Sequence, residues 1–566
     1  MANFYNENRK FYFQALNLEE VVRDLEDDFS NDGPSGLGSY EEAQRWYDML
    51  LHNAGDIAAN FVWPRAKAVD EHGPSFHDGH VEWAEETKEN MAVLAKTGLA
   101  GGALERKYGG LNLPVSVNNL IIEMISQGDA SLMNLFGLQD IGITLQKFGS
   151  EDQKERILPR FARGEISGAM ALTEPDAGSD LQSVALKAIE KDGKWYLDGV
   201  KRFITNGCGD VLLVLARSEE GSKDGRGLSM FLYEKDENML VRRIEDKLGI
   251  HGSPTCELNF HMAEAELVGR RRFGLIRYLM SLMSGARLAV SAQALGIAQA
   301  AYEEAVKYAN KREQFGKKIV EFPPIFQMLK KIQAEIETSR VLVNNTALEM
   351  DRMDMYERKA ERGEDVGSEL KVATALANFL TALSKFTSTE MANKVAYDAL
   401  QIHGGVGYMK DFHIERLYRD ARITNIYEGT TQLQVVAAIG AIVSGLFQEQ
   451  AEKVREMDVP TLTGAKGQIA EHLERMNALV DRVKEREGKD FLDYAANYIV
   501  EMASIIYRLY LFLPIAERYE EKRELFEFFL MESNTRIGYL VNEVESLMEN
   551  YGENIAVLKE DFLNKP

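Results

Sequence analysis

Apolar positions recur at spacings of three and four along most of this chain and alternate with period two in one central stretch. From about Glu41 to Arg163 the three-and-four spacing, clear around Leu120, Ile121 and Met124, predicts mostly helix. Between about Ile166 and Val268 come short β-rich runs, KWYLDGVKRFITNG, DVLLVLARS and LSMFLYEK, parted by Gly and Asp turns. They predict an antiparallel β domain. Helix returns at about Gly274, where YLMSLMSGARLAVSAQALGIAQAAYEEAVKYANKREQFG is long, free of proline and rich in Ala and Leu, as a packed bundle helix is. Further helical segments run to about Phe447, and after a break at DVPTLTGAKG a last helical stretch closes the chain. Near the start, SNDGPSGLGSY has the Gly, Pro and Ser of a linker. The expected fold class is α+β. It comprises an N-terminal extension and linker (1–40), a helical domain (41–165), a β domain (166–272), a helical bundle (273–447) and a C-terminal helical extension (448–566).

Length supports several domains, because 566 residues exceed what one core organises. The net charge of -23 repels phosphate backbones and anionic lipid, so neither nucleic-acid binding nor membrane docking is expected. Cys208 and Cys256 are the two cysteines, too few for a disulfide framework or a cysteine metal cage, and they point to a reducing compartment. The first twenty residues lack the apolar core of a secretion signal. Apolar runs such as VVAAIGAIVSGLF fall short of the roughly 18 residues that a membrane span needs. A cytoplasmic protein, without membrane insertion or a metal site, is the expectation.

Candidate chemistry lies in six segments. In NIYEGTTQLQ, Glu428 stands between an aromatic ring and a Gly-Thr-Thr-Gln turn, which suits a positioned base and also an ordinary loop. ALTEPDAGSDL falls where helix gives way to β structure; Thr173, Ser179 and Asp180 could face a ligand, although capping alone explains Ser179 and Asp180. KRFITNG puts Phe203 and Thr205 on one strand face, where core packing is the commoner fate of a Phe. KREQFGKKI carries Arg312, either solvated or able to grip a pyrophosphate. QIHGGVGYM is either a helix break or a place where backbone amides approach a phosphate. Arg287, alone in the apolar SGARLAV, must find an anion or a carbonyl.

In this order and spacing, ALTEPDAGSD, KRFITNG, REQFGK, QIHGGVGY and RLYRDARITNIYEGTTQLQ resemble the acyl-CoA dehydrogenase family from about residue 41 to 445. The resemblance implies an FAD flavoenzyme of fatty acid β-oxidation. It would oxidise an acyl-CoA thioester to its trans-2-enoyl-CoA and pass electrons to an electron-transfer flavoprotein. It makes Glu428 the base that removes the α proton while a hydride leaves the β carbon for flavin N5. Leu172, Thr173, Phe203 and Thr205 would line the flavin, Thr430 and Gln432 would contact FAD, and Ser179, Arg287 and Gly429 would serve the substrate. Arg312, with Gln401, Gly404 and Gly405, would hold the FAD of a neighbouring subunit. Some members carry the base just before the residue corresponding to Arg287; here that position is Ala286, which leaves Glu428.

Several positions depart from the family pattern. Phe203 replaces a frequent Trp, and Phe322 and Pro323 stand where many relatives carry polar FAD contacts. GDASLMNLFGL lacks the arginine of glutaryl-type members, which disfavours a dicarboxylate substrate. The C-terminal extension resembles the longer branch of the family, including very-long-chain and methylmercaptopropionyl-CoA types, and implies a homodimer. An acyl-CoA oxidase, or a non-catalytic assembly protein on the same fold, are the alternative readings.

Overall fold

The computed structural model describes residues 3–30, 36–485, 489–550 and 562–563, and all of their side chains except those of Gln139, Asp140, Lys489 and Asp490. The middle of the expected linker, residues 31–35, lies outside the described residues. Two short helices, α1 (Glu7–Gln14) and α2 (Glu19–Leu25), come first, then α3 (Tyr40–Ile57) and α4 (Ala66–His72). A small hairpin of β1 (Ser75–His77) and β2 (His80–Glu82) leads into α5 (Glu85–Lys96). Next are α6 (Val115–Gly128), α7 (Ala130–Phe136), α8 (Ile141–Phe148) and α9 (Glu151–Ala162). Local chemistry sets the boundaries: Ser39 accepts from the Glu42 N–H at the start of α3, and Ser150 with Gln153 forms a capping box on α9. The apolar face read around Leu120, Ile121 and Met124 lies buried in α6, packed with α3 and with the long helix of the bundle.

Seven strands follow: β3 (Gly168–Ala171), β4 (Lys187–Lys191), β5 (Lys194–Thr205), β6 (Val211–Arg217), β7 (Leu228–Glu234), β8 (Met239–Ile244) and β9 (Thr255–Leu267). Their order is β3-β6-β4-β5-β9-β7, with β8 on β9, and β6 also pairs β7, so the sheet closes on itself. Most pairs are antiparallel, as the hairpin-like spacing predicted. β3 and β4 are the exceptions, since each lies parallel to β6. The chain reaches β6 only after the β4–β5 excursion, and a connection of that length permits a parallel partner.

The bundle consists of α10 (Met280–Lys311), α11 (Pro323–Glu361), α12 (Gly367–His403), α13 (His413–Thr424) and α14 (Thr431–Val443). A tight hairpin of β10 (Glu313–Gln314) and β11 (Lys317–Lys318) separates α10 from α11. Phe322 caps α11 and Pro323 opens its first turn, where a missing N–H costs nothing. The C-terminal helices are α15 (Leu446–Ala451), α16 (Thr463–Glu485), α17 (Lys489–Arg518) and α18 (Glu520–Asn550). By length and composition, Phe491–Arg518 could cross a membrane, and it is longer than the apolar runs picked from the sequence. Its character has a core explanation: 72% of its most apolar window is buried, and Phe491, Ile499 and Ile506 share one core with Leu342 and Leu380 of the bundle and with Val435 of α14.

Both extensions are built into this body. Tyr12 of α1 lies in the same core as α17 and α18 and donates to Glu337 Oε2 at 2.6 Å, while Lys522 of α18 reaches the same oxygen at 2.8 Å. Arg9 of α1 and Arg340 of α11 both bind Glu123 Oε1 of α6, at 2.8 and 2.9 Å, with all three side chains 1% exposed. Burying one carboxylate between two guanidiniums is tolerable only while all three are present, because removing the shared anion leaves two cations out of water. Glu123→Gln is therefore expected to destabilise the protein by about 3–5 kcal/mol, read as a lower midpoint in urea unfolding. A change within 0.5 kcal/mol of zero would refute this role for the triad.

Candidate functional site

Glu428 stands on the turn that joins α13 to α14. It has φ +53° and Gly429 has φ +89°, two successive residues in the left-handed region. For a glutamate that conformation costs on the order of 1–3 kcal/mol, so neighbouring interactions must hold it. The Gly429 carbonyl accepts from Gln434 Nε2 at 2.9 Å and from Lys385 Nζ of α12 at 2.6 Å. Asn425 Nδ2 donates to Glu390 at 2.9 Å, and Thr431 Oγ1 donates to the same oxygen. A side chain at 429 would place its Cβ 2.7 Å from Gln434 Nε2 and displace that side chain, while the φ of +89° itself favours glycine.

The Glu428 side chain faces a cavity of about 110 Å³ where the three principal layers meet. The helical domain contributes Met133, Asn134 and Leu138; the β domain contributes Leu172, Thr173, Phe203 and Thr205; α10 contributes Ala286 and Val290; and Tyr427 lies beside Glu428. Among the described residues that line it, Glu428 is the charged one. Tyr427 is fixed through its hydroxyl, which donates to Gln293, with Asn134 Oδ1 at 3.2 Å. Burial raises the Glu428 pKa above the ordinary carboxylate value, and the nearby Lys385 and Arg287 charges pull it partly back. Burial in turn lowers Arg287, and it lowers Lys385 to about 7, while the Glu428 charge opposes both shifts. The anion that Arg287 requires is thus Glu428, acting through space; its Nε has no hydrogen-bond partner among the described residues.

The β edge of the cavity is held by residues that the sequence did not single out. β5 bulges between Lys201 and Ile204, and Phe203 takes φ +61°. Phe203 and Thr205 both reach the cavity, and Phe203 ends 51% exposed there rather than in the core. Arg202 N–H donates to the Thr173 carbonyl at 2.9 Å, joining the bulge to the loop after β3. Behind it, the wholly buried Lys201 donates to the Leu172 carbonyl at 2.7 Å and to Glu174 at 2.8 Å. Glu174 also accepts from the Ala185 and Leu186 N–H groups, at 2.7 and 3.0 Å. Burial lowers the Lys201 pKa to about 8. A lysine inside the strand pattern was the one available signal for this pair.

Of the residues predicted from sequence, Glu428, Leu172, Thr173, Phe203 and Thr205 converge on the cavity. Gly429 and Thr430 complete the turn, with Thr430 at the N-cap of α14 and Gln432 exposed on its first turn. Ser179 is exposed on the loop after β3, and its neighbour Asp180 caps the turn Leu181–Ser183, the simpler of the two readings for it. Arg312 lies exposed at the C-terminal end of α10; Gln401, Gly404 and Gly405 are exposed where α12 breaks. These two groups are neighbours, because Tyr308, one turn before Arg312, stacks on His403 with ring centroids 4.6 Å apart. None of the four lines the cavity that contains Glu428.

The chain matches the N-terminal, middle and C-terminal domains of acyl-CoA dehydrogenase over residues 46–165, 169–263 and 276–439. It is 34% identical to a 3-(aryl)acrylate reductase of Clostridium sporogenes over 395 residues, 69% of this chain and 96% of that protein. An acyl-CoA dehydrogenase of Bacillus subtilis is 39% identical over 349 residues, 60% of this chain and 86% of that protein. A solved structure of an acyl-CoA dehydrogenase complexed with FAD from Bacillus anthracis superposes with a TM-score of 0.77 at 25% identity. It covers 92% of this chain and 91% of that one, so the likeness extends into the C-terminal helices. The chain belongs to the acyl-CoA dehydrogenase family, FAD-dependent oxidoreductases that act on acyl-CoA.

Proposed function

We propose that this protein dehydrogenates an acyl-CoA thioester between its α and β carbons, with Glu428 as the base. The observation that carries this reading is a largely desolvated carboxylate, on a strained turn, facing a cavity whose other described lining residues are uncharged. An α proton of a thioester is a very weak acid, so its removal needs a base stripped of water and a donor for the oxygen that gains charge. Burial raises the basicity of Glu428. Its own N–H, which has no backbone acceptor among the described residues, is the donor that the turn supplies for the thioester oxygen. Gly429 keeps the approach to that N–H free of a side chain. Ala286, at the α10 wall of the cavity, cannot compete as a base.

The residues fit FAD. An exposed aromatic side chain, Phe203, and the hydroxyls of Thr173 and Thr205 share the cavity with Glu428. At Gly404 and Gly405 a Cβ would meet nothing within 4 Å, leaving backbone open to a phosphate or sugar. FAD supplies the hydride acceptor when bound. Leu172, Thr173, Phe203 and Thr205 orient its ring system, Thr430 and Gln432 flank it at the start of α14, and Ser179 and Arg287 serve the CoA portion. Arg312, Gln401, Gly404 and Gly405 stay outside this cavity, and the family resemblance assigns them to the FAD of a second copy and the C-terminal extension to a homodimer. An electron-transfer flavoprotein takes the electrons, and the protein works in the cytoplasm on fatty acyl chains.

The decisive experiment is anaerobic titration of the purified protein with a panel of short, medium, long, branched and aromatic acyl-CoAs. The flavin absorbance should bleach with at least one class. Glu428→Gln should retain FAD and lose at least 99% of the bleaching rate, since a positioned base contributes about 10²–10⁴-fold; retained turnover would sink the assignment. The base acts ionised and its pKa is raised, so kcat/KM should fall as pH drops, with a midpoint above the ordinary carboxylate range. An acid limb at or below about pH 4.3 would contradict the buried site. Arg312→Glu should be isolated with little FAD although its own Glu428 cavity is untouched. Full flavin occupancy in that variant would count against a shared site.

A further inference from the structure

We propose that Lys385 is a positioning residue for the base: it braces the Glu428–Gly429 turn through the Gly429 carbonyl and supplies a positive charge facing the Glu428 carboxylate. The proposal rests on the dehydrogenation reading for its catalytic consequence, but its geometry does not. Lys385 lies at the middle of α12, a helix otherwise devoted to the bundle core, and is 0% exposed. An ammonium placed there purely for packing would be among the costlier choices for the position, since burying a charge is unfavourable unless something compensates it. Its Nζ donates at 2.6 Å to the Gly429 carbonyl, the oxygen already bound by Gln434 Nε2. Two donors thus converge on one peptide oxygen, immediately after a glutamate in the left-handed region.

The charged groups around it define what its charge does. α10 presents Arg287, α12 presents Glu390, and the α13–α14 turn presents Glu428, with Tyr427 beside it. Glu390 is occupied by Asn425 and Thr431. α14 adds the neutral Gln434. Glu428 is therefore the first anion that Lys385 senses, and Lys385 is the first cation that Glu428 senses. Burial lowers Lys385 to about 7 and raises Glu428, so the two groups oppose each other's desolvation and titrate as a linked pair. Without the ammonium, the same pocket that strengthens the base would keep it protonated over more of the working range.

Two substitutions separate the two roles. Lys385→Gln keeps a donor for the turn and removes the charge; Lys385→Met removes both. In each FAD-loaded variant the acid limb of kcat/KM should move up by about one pH unit, the lower end of what a nearby opposite charge contributes. Infrared titration of the Glu428 carboxyl, assigned with Glu428→Gln, should show the same displacement without depending on turnover. Lys385→Met should also lose about tenfold or more in kcat with KM little changed, because a displaced base fails in the chemical step. Lys385→Arg should restore the wild-type limb. Coincident acid limbs and carboxyl titrations in wild type, Lys385→Gln and Lys385→Met would overturn the proposal.

Should the variants not fold, the linkage is read from the other side. In protein labelled with nitrogen-15 lysine, Glu428→Gln should lower the Lys385 titration midpoint relative to wild type, and an unchanged midpoint would overturn the proposal. Failure of the wild type to bleach with any acyl-CoA would count against the dehydrogenation reading alone, since the infrared and lysine titrations would still decide the role of Lys385.

Discussion

Holding one carboxylate largely out of water, at the wall of a cavity, is the constraint on which the rest of this site depends. Glu428 pays a desolvation cost that would keep it protonated if it stood alone, and a protonated acid cannot act as a base. The bundle answers with two cations set back from the cavity wall, Arg287 on α10 and Lys385 on α12. Neither lines the cavity, so each moderates the charge without occupying the space that the ligand needs. The balance leaves a base stronger than an exposed glutamate yet still able to ionise.

That balance has a mechanical counterpart. The two walls facing one another across the cavity both present a residue in the left-handed region, Glu428 on one side and Phe203 on the other. Each is held by a buried lysine that donates to a nearby main-chain carbonyl: Lys385 to Gly429, and Lys201 to Leu172. Strained conformations of this kind persist only where the surroundings over-determine them. The rigidity of α12 and of the closed β sheet is what lets the cavity keep them.

The two extensions belong to the same body. Tyr12 and Lys522 meet on Glu337, and Arg9 completes the buried triad on Glu123, so α1 and α18 are tied to the back of α6 and α11. α17, a long apolar helix, fills the core beneath α14, the helix whose N-terminus follows the Glu428 turn.

The fold was largely written in local patterns. Three-and-four spacing identified the helices around Leu120 and over Met280–Lys311, turn-separated β runs identified the sheet, and the motif containing Glu428 singled out the carboxylate that faces the cavity. These features are legible because period, caps and glycines act over a few residues. The partner of the lone cation Arg287, the bulge that frees Phe203 from the core, and the placement of Lys201 and Lys385 were decided only in three dimensions. Lys385 and Glu428 lie 43 positions apart, and nothing in the SKFTS segment marks its lysine as buried. Charge, desolvation and hydrogen bonding between distant segments have no period in sequence; they come into being when helices pack, and that is where the pKa of the base is set.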